Sequence, residues 1–80
     1  MLEWKISPFQ SLQINELYEI LRLRSEVFVV EQRSIYLDID DKDQIAQHIR
    51  GYKDGKLVAY ARLFRSGDYF EDAAIGRIVV

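Results

Sequence analysis

At eighty residues, with no cysteine and one histidine, the chain allows one small domain and excludes a disulfide framework and a structural zinc site on ligand count. Apolar residues at 49% and charged residues at 30% are the profile of a folded protein. A net charge of −2, with mixed signs and no basic run, argues against nucleic acid or a membrane surface as partner.

No apolar stretch approaches the ~18–20 residues that a membrane span needs, and Met1-Leu2-Glu3-Trp4-Lys5 lacks the apolar core of a signal peptide. A cytoplasmic protein is expected.

Residues 3–7 alternate polar and apolar, which predicts a half-buried strand that Pro8 closes. From about Asn15 to Glu31 the period changes to that of a helix. Ile14, Leu17, Tyr18, Leu21 and Phe28 mark one stripe, widened by Ile20, Leu23, Val27 and Val30. Asn15 is the expected N-cap, with Glu16 and Glu19 in the first turn where the helix dipole favours them.

Residues 32–47 read as irregular and carry four aspartates between positions 38 and 43. "HIRGYKD" and "KLVAYARLFR" then flank Asp54-Gly55, a strong hairpin signal. Simple alternation in the second run puts Leu57, Ala59, Ala61 and Leu63 on one face and Val58, Tyr60, Arg62 and Phe64 on the other. "SGDYFEDA" supplies a further turn before a last strand over Ala74–Val80. The expected class is α+β: strand, helix, irregular segment, then three strands in a mainly antiparallel sheet covered by the helix.

The aspartate run begins like a calcium loop, but Lys42, Asp43 and Ile49 stand where such a loop needs an oxygen ligand, a glycine and a glutamate. Two readings stay open for it. It is a solvated acidic loop with capping duty, or an anionic wall that draws in a cationic amine and offers a neighbouring carboxylate for its proton. His48 reads as a hydrogen-bonded structural residue, and Tyr36, Tyr52, Tyr60 and Tyr69 as half-buried aromatics. Arg62 and Arg77 share their strands with apolar neighbours and need partners, for which Asp38–Asp43 are the candidates. Metal ligands are not expected, and no residue is assigned a catalytic role.

These residues resemble a family. Arg24-x-x-x-Phe28-Val29-Val30-Glu31-Gln32, then Tyr36-x-Asp38-x-Asp40 and Asp43, then "HIRGYKDGKLVAYARLF" and "IGRIVV", look like the N-terminal half of a GNAT-type N-acetyltransferase of the ElaA-like branch. The resemblance implies acetyl-CoA as cofactor, its pantetheine arm on the backbone of Ile78, Val79 and Val80. It implies a small-molecule amine as acceptor, in a pocket shaped by Phe28, Val29, Glu31, Gln32, Tyr36, Asp38, Asp40 and Arg62. The family's glycine-rich pyrophosphate loop would follow Val80, so residues 1–80 are expected to be one part of a single domain, inactive alone.

Two alternatives stand beside this. Arg24-x-x-x-Phe28, Asp40-x-x-Asp43 and Arg62 also resemble acyl-homoserine-lactone synthases, which carry a tryptophan where this chain reads Arg33-Ser34-Ile35. The other is a non-catalytic interaction module that pairs with a second copy along the open C-terminal strand.

Overall fold

A computed structural model of the chain describes residues 2–33, 36–68 and 71–80. Four strands, β1 (Glu3–Pro8), β2 (Gln47–Lys53), β3 (Lys56–Phe64) and β4 (Ala74–Val79), form one antiparallel sheet in the order β1-β2-β3-β4. A helix, α1 (Ile14–Arg24), crosses one face and runs directly into a π-helical segment, Ser25–Glu31. The expected α+β architecture is therefore the observed one. No helix among the described residues is long and apolar enough to cross a membrane.

The helix starts two residues earlier than its sequence suggests. Gln13, not Asn15, is the N-cap, and its backbone N–H donates to Glu16 Oε1 at 2.8 Å. The same glutamate receives Arg50 from β2 at 2.8 Å, and Arg50 also reaches Ser7 Oγ on β1 at 3.0 Å. One buried guanidinium thus pins α1 across two strands.

The buried stripe of the helix joins Ile20, Leu23 and Val27 of the widening set to Phe28 of the first. Ile20 is fully buried, with Leu23, Val27 and Phe28 packed against its cluster, while Ile14 and Tyr18 face solvent. The phase is set by Arg24, which lies four residues past Ile20 on the same face and is itself fully buried. Val27, Val29 and Val30 crowd an ordinary helical turn with β-branched side chains. The chain widens there, with Gln32 N–H bonding to Val27 O at 3.0 Å, five residues back. Val30 is consequently turned out to solvent.

The β2–β3 turn is a two-residue loop in which Asp54 and Gly55 both take left-handed φ, +53° and +78°, as the right-handed twist of a tight hairpin requires. Two bulges then break the alternation read from sequence. Gly51 faces Ala59 and Tyr52 faces Leu57, so Val58 is an extra residue in β3. Leu57 and Tyr60, assigned to opposite faces by alternation, therefore lie together in the core with Ile20 and Val79. On β4, Gly76 faces Arg62 and Val79 faces Tyr60, which leaves Arg77 and Ile78 opposite the single Ala61.

Candidate functional site

The site is an ion network between the aspartate loop, the end of α1 and the strands β3 and β4. Arg24, with no solvent exposure, donates to Asp43 Oδ1 and to the carbonyl oxygen of Asp38, both at 2.7 Å. Its Nε lies 3.1 Å from Asp38 Oδ2, close enough to attract as ions but off the line of a hydrogen bond. Arg62 takes both oxygens of Asp40 as a fork at 2.9 Å and shares Asp43 Oδ1 at 3.0 Å. Arg77 donates to Asp38 Oδ1 at 2.9 Å and to Asp40 Oδ2 at 3.3 Å.

Three guanidinium groups (Arg24, Arg62, Arg77) thus meet three carboxylates (Asp38, Asp40, Asp43), and their charges cancel. This corrects both readings of the acidic run. Asp38 and Asp43 are buried rather than solvated, and the three networked carboxylates are each matched by arginine, so they form no unmatched anionic wall; the exposed Asp41 stands outside the network. Nor does Asp40 fit the part of a base. Partial burial opposes its charge, but the Arg62 fork, the Lys42 backbone N–H and the charges of Arg62 and Arg77 outweigh that and hold it down from 3.8 to about 2. Such a carboxylate is a poor acceptor for an ammonium proton.

The pairing expected for Arg62 and Arg77 with residues 38–43 is what the structure shows. A long charged side chain on a largely covered strand must find a carboxylate, and the loop is rich in them. Arg24, central to the network, has a sequence signal only in the motif that carries the family resemblance, whereas Asp43 stands among the aspartates expected to partner Arg62 and Arg77.

His48 supports the network from beneath. It is fully buried, and its Nε2 sits 2.9 Å from the carbonyl oxygen of Asp43, an acceptor, so Nε2 carries the proton. Its Nδ1 then accepts from the Tyr60 hydroxyl at 2.6 Å. Burial pushes the imidazole pKa down and the Tyr60 phenol up, so both are neutral near pH 7. The structural role read for His48 is the one observed, and neither group reaches the surface. Tyr60 is buried, Tyr52 half-buried and Tyr36 exposed; Tyr69 lies outside the described residues.

Of the eight residues assigned to the acceptor side, the network joins Asp38, Asp40 and Arg62, and Tyr36 stands beside it with the Arg77 guanidinium 5.0 Å over its ring. Phe28 packs against the core instead. Val29, Glu31 and Gln32 are exposed at the end of the π segment and make none of these bonds. Next to the network, Asp40, Arg62, Phe64, Ala74 and Arg77 line a cleft of about 280 Å³ against the paired strands β3 and β4. Of the three cofactor-side residues, Ile78 and Val80 are exposed and Val79 is in the core. The bulge leaves β4 backbone at Arg77–Ile78 without one-to-one partners on β3.

No family model matches the sequence. The chain is 45% identical to ElaA of Escherichia coli over 82 residues, which cover 100% of the chain and 54% of that protein. It is 44% identical to a UPF0039 protein of Schizosaccharomyces pombe, covering 99% of the chain and 52% of that relative. The crystal structure of Escherichia coli ElaA superposes with a TM-score of 0.91 over 100% of this chain and 55% of its own. An acyl-CoA N-acyltransferase from Pseudomonas aeruginosa, 38% identical, also superposes at 0.91 over 99% of this chain and 56% of its own. The chain spans about half the length of the curated relatives it matches. Identity and backbone agree over 99–100% of the chain, which is similar to ElaA and has the GNAT-like acyl-CoA N-acyltransferase fold over its length.

Proposed function

We propose that these residues carry the acceptor side and the central cofactor strand of an acyl-CoA-dependent N-acyltransferase, with acetyl-CoA as donor and a small-molecule amine as acceptor. The observation that carries the proposal is the agreement, at 38% identity and a TM-score of 0.91, with a solved acyl-CoA N-acyltransferase. The β4 bulge supports it, because backbone N–H and C=O groups freed from the ladder suit an extended amide-bearing arm.

In the reaction a neutral amine attacks the thioester carbonyl. The C–N bond forms, the C–S bond breaks, and CoA leaves as the thiol with the proton shed by the amine. The arginine-matched aspartates set the shape of the acceptor side rather than take that proton. The cleft beside Arg62, Phe64 and Arg77 is the proposed place of the amine.

The eighty residues contain no glycine-rich loop for the pyrophosphate. The reading therefore includes weak binding by the chain alone. In calorimetric titration acetyl-CoA is expected to bind with a dissociation constant well above ~1 μM. Micromolar binding would overturn the half-site part of the proposal, and absence of binding at millimolar ligand would overturn the acyl-CoA part.

A further inference from the structure

Arg77 is the least economical residue on β4. Its φ is +52°, a left-handed value that a side chain with a Cβ adopts only at a cost, at the bulge where two residues oppose one. Glycine would relieve that strain, and Gly76 stands immediately beside it in extended backbone. What the arginine supplies in exchange is a bridge. Its Nε holds Asp38 Oδ1 at 2.9 Å, its Nη2 approaches Asp40 Oδ2 at 3.3 Å, and its guanidinium lies 5.0 Å over the Tyr36 ring. Those three residues line the loop, whereas Arg77 belongs to the strand. Asp38 and Asp40 are in turn fixed by Arg24 from the helix and Arg62 from β3.

We infer that Arg77 is a positioning residue that locks the acceptor-side loop to the bulged strand, so that loop 36–43 and the backbone of residues 76–79 move as one unit. The inference takes from the acyltransferase reading only what the two sides bind. The lock itself is a matter of bonds present in the unliganded chain.

The bridge predicts a specific pattern of mobility. Glycine at position 77 accepts the left-handed backbone without strain, so Arg77→Gly removes the bridge while sparing the bulge. Hydrogen exchange read amide by amide by NMR, without ligand, should then rise about tenfold both in β4 and at Lys42, whose N–H donates to Asp40 Oδ1. The β1–β2 ladder should keep its protection. Arg77→Lys, which retains the charge but not the fork, should restore part of the protection of both segments, and less of it at high salt. Asp40→Asn should loosen β4 as well, and the double variant Arg77→Gly with Asp40→Asn should fall short of the sum of the two single effects.

A rise in β4 that leaves Lys42 unchanged, or no rise in either, overturns the lock. A uniform rise over all four strands reports loss of the fold, and the decision then rests on whether Arg77→Lys shows the paired rise in loop and strand. Acetyl-CoA added to the same samples reads the other proposal separately. Failure to bind it leaves the exchange pattern standing, and a failed exchange pattern leaves cofactor binding to be judged alone.

Discussion

The energetics of the site are decided by single buried charges. Arg24 has no exposure and faces two buried carboxylates, so Arg24→Ala takes a buried guanidinium partner from both Asp38 and Asp43 and leaves each with one, Arg77 and Arg62 respectively. The expected loss is about 3–5 kcal/mol in urea unfolding, close to the whole stability of a domain this small. Arg22→Ala, on the exposed face with a single surface partner, Glu26, is expected to cost under ~0.5 kcal/mol. Acid should unfold the chain in two stages. His48 is held neutral, its pKa lowered from 6.5 by burial, so its contribution is present above 6.5 and fades as pH falls below it. Asp40, lowered from 3.8 to about 2, contributes stability above pH 4 that is lost as pH falls from 3.8 toward 2. That second stage is worth on the order of 2 kcal/mol, and thermal melts across this range would show both. Loss of the first stage in His48→Gln, with the second retained, would assign them.

Elements were legible in the sequence to the extent that a single residue type forces them. Asp54-Gly55 demands its turn, because few other pairs accept two left-handed residues, and Gly55→Ala is expected to cost about 1–2 kcal/mol for that reason. Arg62 and Arg77 announced their partners because a charged side chain among apolar neighbours has few places to go. The bulges left no such mark. One extra residue at Val58 moves Leu57 and Tyr60 to a common face, and alternation counted along the chain cannot register an insertion set by the partner strand. Phase misled the helix reading in the same way, since the choice between two apolar stripes belongs to Arg24 and its distant aspartates. The acidic run looked anionic because its neutralising arginines come from three other elements. Packing on the far side of the sheet offers a further test. A Cβ on Gly51 would lie 2.8 Å from Trp4 Cζ3 and 3.1 Å from Ala59 Cβ. Gly51→Ala should therefore displace the ring at a cost of about 1 kcal/mol, seen as a red shift of the chain's one tryptophan.

At the scale of the molecule, the sheet is finished on one face only. The rows Trp4–Gly51–Ala59, Ile6–Ile49–Ala61 and Leu63–Ile75 run across the side away from α1, with Trp4, Ile6 and Ile75 each more than half exposed. An apolar sheet face of this kind calls for a second layer. We expect the isolated chain to associate, with a light-scattering mass that climbs with concentration and falls back in Ile6→Lys. A monomer of constant mass would contradict this. The central claim concerns the other side of the sheet, where the bulged strand meets the aspartate loop. Acetyl-CoA titrated into the labelled chain and followed through its backbone amide shifts tests it most directly. Shifts are expected to concentrate at Gly76–Val80 and to develop at ligand concentrations well above ~1 μM. Shifts confined to other strands, or none at millimolar acetyl-CoA, would contradict it.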